Sequence, residues 1–211
     1  MFDGKVVNNL TETKSNATCN LCGITPNDMN AANVAERPVN EANFTCGLAP
    51  LHYYILYMEC CSHISYRHSF EKWTIREADD KITSLEVSSL KMKKRFGLDL
   101  DKPKQGSGNS NYESFARTFF AKSDVTTEIL DFDKELLYNF HDILRILNNN
   151  VNERINTSTF KELLQTTFDQ YVKLYGWYKM PVTVHNVLVH GCDIIEDFDL
   201  PVMDSESDEE P

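Results

Sequence analysis

The feature that most constrains this chain lies at its two ends, Cys19-x2-Cys22 near the start and His185-x4-His190 near the finish. Two thiols at knuckle spacing and two imidazoles on one short stretch form a Cys2His2 set. That donor combination binds zinc tetrahedrally through thiolate sulfur and neutral ring nitrogen. The pairs stand 162 residues apart, far beyond the linker of an ordinary zinc finger. Closing such a loop costs about 4 to 5 kcal/mol of chain entropy, against about 10 to 16 kcal/mol apparent for structural zinc in small peptides. The metal can offset the closure and tie the two ends together.

Spacing alone leaves another reading open, in which the cysteines belong to a turn and the histidines to a helix that never meets them. On a helix an i, i+5 pair lies about 140° apart around the axis, unlike an i, i+4 pair at about 40°. The helix bearing the histidines is therefore expected to bend or to end near His190, and Gly191 directly after it suits such an end.

With 211 residues, 41% of them hydrophobic, nine Tyr and twelve Phe, the chain can bury a real core as one large domain or two small ones. Its net charge of −11 is uneven: residues 193–211 hold nine acids and no Lys or Arg, which leaves residues 1–192 at −2. Met1 to Leu10 lacks an apolar run of signal-peptide length, and no later stretch approaches a membrane span. The expectation is a soluble, intracellular protein without a membrane partner, whose six cysteines stay reduced and favour metal over disulfides. The Asn-x-Ser/Thr triplets at Asn9, Asn16, Asn43 and Asn156 are then read as polar composition only.

Taken in order, Phe2, Val6 and Val7 read as the end of a strand, and residues 8–43 as irregular loop with at most short helices. The run 51–66 is apolar or aromatic on nearly every side, so it predicts a helix buried all round; Glu59 and His63 within it read as a structural pair. Thr83 and Glu86 have capping-box spacing before a helix whose inward face would hold Leu85, Val87, Leu90 and Phe96, ending at Gly97. Lys91, Lys93, Lys94 and Arg95 lie on its other face. They precede a Gly/Ser loop with Lys102 and Lys104, a composition suited to a phosphate backbone, though a charge run is also an ordinary solvated face.

A short helical run then spans residues 111–120. Leu136, Leu137, Phe140, Ile143, Leu144 and Leu147 form one stripe; Phe160, Leu163, Leu164, Phe168, Tyr171, Val172 and Tyr175 form the next, with Thr159 and Glu162 as its cap and Gly176 as its end. Pro181 starts the helix of His185 and His190. The fold class expected is mostly α: a helical domain clasped by zinc (49–196), an irregular knuckle segment with a strand remnant before it (1–48), and a disordered acidic tail (197–211).

In this order, DGKV at Asp3, Cys19-x2-Cys22, PLHYYILYMECCSHISYR at 50–67, KPKQGSGNSNYESFARTFF at 102–120 and WYKMPVTVHNVLVHGCDIIE at 177–196 resemble the Transib-type transposases and the catalytic subunit of the RAG recombinase. That family has a DDE, RNase H-like nuclease. The resemblance implies that Cys19, Cys22, His185 and His190 hold a structural Zn2+ in a helical insertion between the second and third catalytic carboxylates. Asp3 matches the second carboxylate, a ligand of the two Mg2+ or Mn2+ ions that drive strand cleavage.

Lys91, Lys94, Arg95, Lys102, Lys104, Gly106, Gly108, Asn109 and Arg117 would then lie near DNA. Trp177 matches an aromatic that could stack on an unpaired base; as a core tryptophan at a helix end it has an equally ordinary reading. Implied partners are DNA and a second copy of the chain or a transposase partner, in the nucleus.

The first carboxylate has no counterpart here, and Glu210 falls near the third among several acidic neighbours. Two-metal chemistry needs carboxylates held rigidly about the ions. The expectation is a fragment that is not catalytic alone. Part of an active recombinase, or an interaction module without a nucleic-acid role, are the alternatives.

Overall fold

Pro50 opens the stretch LHYYILYMECCSHISY, apolar or aromatic on nearly every side, and α1 (Pro50–Arg67) forms there. Proline suits a first helical turn, where its missing N–H has no partner to lose. The computed structural model describes residues 10, 11, 13, 15–46, 50–73, 87, 89–97, 113–148 and 156–197. Further helices are α2 (Glu113–Ala121), α3 (Ser123–Leu130), α4 (Lys134–Asn148), α5 (Thr157–Tyr175) and α6 (Val182–Asp197). Two 3-10 turns, Val34–Glu36 and Glu41–Cys46, precede them. Among the described residues there is no strand, and no helix is long and apolar enough to cross a membrane.

The first structured helix is central because side chains on most of its faces are apolar. α1 packs against α2, α3, α4 and α6, while α5 packs against α4 and α6. Tyr57, wholly buried, meets Phe140 of α4 edge-on at 4.9 Å, and its hydroxyl donates to the Val184 carbonyl of α6 at 3.5 Å. Cys60 Sγ lies 3.7 Å from the Tyr171 hydroxyl of α5. Aromatic pairs of this kind combine area burial with favourable ring geometry, worth about 0.5 to 1.5 kcal/mol each beyond the area itself.

All six residues of the α4 stripe are buried. Asp133 caps that helix by accepting from Leu136 N at 2.8 Å, which satisfies one of the amides left over in a first turn. On α5, Phe160, Leu164, Phe168, Tyr171 and Tyr175 are buried, and Leu163 and Val172 pack partly against the core. Its cap differs from expectation. Asn156, not Thr159, accepts from the Thr159 amide at 3.0 Å. An Asn at this position satisfies the free amide directly, so the helix starts one turn early and Thr159 becomes part of the first turn.

One further expectation is corrected in part. Residues 89–96 are helical and end at Gly97 with φ +73°, its amide donating to Lys93 O at 2.8 Å. Phe96 packs inward as expected and is joined by Met92 one turn before it, whereas Val87 and Leu90 are exposed. α3 had no counterpart in the sequence pattern. It is pinned instead by buried hydroxyls, Thr126 donating to Phe119 O at 2.8 Å and Ser123 to Phe120 O. Within α1, His63 meets the Tyr178 hydroxyl through Nδ1 at 3.4 Å, and Arg67 donates to the His63 carbonyl at 2.8 Å.

Residues 15–46 share the same core as the helices, through Leu21, Ile24, Met29, Val34 and Phe44. The irregular segment is thus one face of a common interior. Asp3, the 102–109 loop, Thr83, Glu86, Glu210 and the acidic tail beyond Asp197 lie outside the described residues.

Candidate metal centre

Between Cys19 and Ile24 the chain folds back on itself. The Cys19 amide donates to Ile24 O and the Gly23 amide to Cys19 O, both at 3.0 Å. Gly23 sits at φ +68°, left-handed backbone that glycine adopts without a Cβ penalty. The amides of Leu21 and Cys22 point at Cys19 Sγ, at 3.4 and 3.5 Å. These hydrogen bonds favour negative charge on the sulfur.

The segment holding the knuckle packs on α6 through the Val34 turn and is tied by side-chain hydrogen bonds to the stretch just before α6. Asn30 Nδ2 donates to the carbonyls of Gly176 (3.0 Å) and Tyr178 (2.8 Å). Asn43 Nδ2 donates to Asn20 O at 2.6 Å, and Lys179 Nζ to Asn27 Oδ1 at 2.5 Å.

On the other side, α6 continues through His190 and Gly191 to Asp197. The expected helix end at His190 does not occur. Gly191 instead allows close approach to α5, since a Cβ there would lie 3.4 Å from Leu164 Cδ1. The two imidazoles converge although their attachment points diverge, because each ring is long enough to lean over the helix face between them. Their centroids are 5.1 Å apart at 80°.

The result is a cluster of one ligand atom each from Cys19, Cys22, His185 and His190, all within 4.8 Å of one another. Cys22 Sγ lies 3.3 Å from His185 Nε2. A tetrahedral ion with sulfur and nitrogen ligands has edges of about 3.5 Å. Small side-chain rotations therefore close the observed set around one metal ion.

The electrostatics match this donor set. The Cys22 thiol is held well below its usual range, first by its hydrogen bond with Cys19 and further by His185 and His190. Cys19 is shifted up by the same hydrogen bond and by burial. Burial lowers His185 and keeps its ring neutral. In contrast, burial pushes the isolated thiols of Cys60 and Cys192 up to about 12 and about 11, the direction of inert core cysteines.

His185 Nδ1 and His190 Nε2 are buried and have no hydrogen-bond partner. Orphaned polar atoms of this kind cost about 1 to 3 kcal/mol each. His190 Nε2, orphaned in a ring that stands against His185, is an atom that a cation can satisfy, whereas His185 faces Cys22 through its other nitrogen, Nε2.

The residues assigned to DNA fall elsewhere. Lys91 and Lys94 are exposed on the 89–96 helix, and Arg95 lies 3.8 Å from Glu128. Arg117 is partly exposed and engaged by its neighbours: it pairs with Glu113 at 2.5 Å, donates to Asn148 at 2.9 Å and lies over the Tyr54 ring at 4.4 Å. Trp177 is half-buried, edge-on to Tyr175 at 6.5 Å and Tyr178 at 5.9 Å. Lys102, Lys104, Gly106, Gly108 and Asn109 are outside the described residues, as are Asp3 and Glu210.

One site residue escaped the sequence pattern. Asn186 occupies the helix surface between the two histidines and touches the knuckle, with its Oδ1 accepting from Cys19 Sγ at 3.1 Å and its Nδ2 donating to Asn20 Oδ1 at 3.3 Å. The signal was present in the helical advance, which places it about 100° from His185 and about 40° from His190, on the arc between them. Compared with protein-family models the chain matches none, and compared with curated proteins it likewise has no match.

Proposed function

We propose that the quartet binds one Zn2+ as a structural ion, and that the chain is a zinc-clasped, DNA-contacting module derived from a Transib/RAG-type DDE transposase. The observation that carries the zinc reading is the convergence of four Cys and His ligand atoms, from opposite ends of the chain, within 4.8 Å. Thiolate with imidazole in a four-coordinate shell favours zinc over the harder, oxygen-seeking cations. Four protein ligands leave no coordination position for substrate, so the role assigned is structural, not catalytic.

The DNA reading rests on the family resemblance and on the exposed Lys91 and Lys94. Arg117 is better assigned to packing, given its engagement by Glu113 and Tyr54. By resemblance, Asp3 contributes one carboxylate to a two-metal Mg2+ or Mn2+ site in a complete nuclease, a role that one carboxylate does not perform alone. The near-neutral body, −2 over residues 1–192, supports a second reading as a protein-interaction module.

Zinc content decides the first part. About one zinc per chain is expected in the wild type and none in Cys22→Ser or His185→Ala; zinc retained in both variants overturns the ligand set. Salt-dependent DNA affinity decides the second. Lys91→Glu with Lys94→Glu is expected to weaken binding and to flatten the salt slope by about one for each phosphate left without its lysine. A wild-type chain that binds no DNA at low salt leaves the interaction-module reading.

A further inference from the structure

The zinc reading raises a question about Asn186, whose amide is shared between the knuckle and α6. It bridges positions 167 and 166 residues apart in sequence, Cys19 Sγ at 3.1 Å and Asn20 Oδ1 at 3.3 Å. Cys19 Sγ acts as the donor in the first of these, with Asn186 Oδ1 accepting.

A metal-bound sulfur is a thiolate and has no proton to donate. Facing Oδ1, it would meet a second partial negative charge at hydrogen-bond distance. Rotating the Asn186 amide by half a turn presents Nδ2–H to the sulfur and Oδ1 to Asn20. The side chain of Asn20 restores its own hydrogen bond by the same rotation, because each amide carries a donor and an acceptor at nearly equal positions.

We infer that Asn186 is the positioning residue of the metal centre. In the loaded state its Nδ2–H donates to the Cys19 thiolate, and the Asn186–Asn20 amide pair inverts when the metal binds. Three features support this over a merely structural clip. The residue projects from the helix between the two histidine ligands, so its amide and the ion share one face. Cys19 already receives the backbone amides of Leu21 and Cys22, and Asn186 completes a ring of donors around that sulfur. Cys19 is 1% exposed, so water has little access to supply the missing hydrogen bond. Outer-shell donors of this kind typically change metal affinity by about 10- to 100-fold.

The inference rests on the zinc reading and is tested separately from it. Zinc affinity is measured by chelator competition for the wild type, for Asn186→Leu, which keeps the volume and removes both hydrogen bonds, and for Asn186→Asp, which keeps the shape and removes the donor. Both variants are expected to bind about 10- to 100-fold more weakly. In the Co2+-loaded forms, the sulfur-to-metal charge-transfer band is expected to move to lower energy as the thiolate loses its donor. A structural clip would shift thermal stability but leave that band in place.

Should the variants not fold, the wild type loaded with 113Cd2+ gives the answer by NMR. Scalar coupling from the metal to the Asn186 Nδ2 protons is expected beside couplings to the Leu21 and Cys22 amides. Couplings to those two amides without one to Asn186, or variants that match the wild type in affinity and band position, overturn the inference and leave the zinc site standing. A wild-type chain that binds none of these ions removes both.

Discussion

The helical bundle and the knuckle segment share one interior but are held by different physics. In α4 and α5, stripes of Leu, Phe and Tyr at helical spacing are buried and their first turns are capped by the residues just before them. Residues 15–46 have only two short 3-10 turns, a few buried anchors such as Ile24, Met29 and Val34, and side-chain amides reaching far along the chain. Local periodicity organises the first region. The second acquires structure only where distant groups meet it, and the metal ligands are the strongest of those meetings. A segment so poor in local structure gains most from a cross-link, because its unfolded state has the most freedom to lose.

The largest expected effect separates the two regions. Stripping the metal, or the double substitution Cys22→Ser with His185→Ala, should remove up to about 10 kcal/mol of apparent stabilisation from the knuckle segment. Hydrogen exchange should then show amides near 19–46 losing protection while those of α4 and α5 keep theirs. Equal loss across both regions would erase the contrast.

Next comes the shared interior. Phe140→Ala removes the ring that meets Tyr57 and Tyr171 and should cost about 3 to 5 kcal/mol. Urea unfolding should show both regions losing stability together, since the common core supports each; a change below about 1 kcal/mol would place the centre of the core elsewhere.

The smallest effect sharpens the comparison from the bundle side. Asn156→Ala deletes the cap of α5 and should cost about 1 kcal/mol in thermal or chemical unfolding. Zinc affinity should not change, because the cap supports local helix structure and touches none of the four ligands. A parallel fall in affinity would mean that the two regions are coupled more tightly than their packing indicates.

How much of this was legible in sequence varied with the distance over which the signal acts. The α4 stripe was legible residue by residue because burial there follows a short period along one helix. α1 was recognisable as a buried helix from its near-continuous apolar character. The 89–96 helix was legible only in part: Phe96 packs inward as its position suggests, but Val87 and Leu90 look like core and are exposed, while Met92 is the buried residue. Periodicity gives a face only when apolar residues occupy one arc, and here they occupy two. α3 left no such pattern because its eight residues carry hydroxyls among the apolar ones, and those hydroxyls are satisfied by bonds to carbonyls at the end of α2.

By itself the sequence determined the helical class, the principal stripes, and the four residues with metal-binding chemistry, because donor type and helical period are properties of residues and their near neighbours. It could not decide that the quartet converges. The i, i+5 offset of the histidines argued for a broken helix, whereas α6 runs on intact and the rings lean across Asn186 to meet the knuckle. That outcome depends on where the docking of the Val34 turn and the amide hydrogen bonds of Asn30 place the knuckle. Such positions are set by interactions across more than a hundred residues, and only the folded chain brings those partners together.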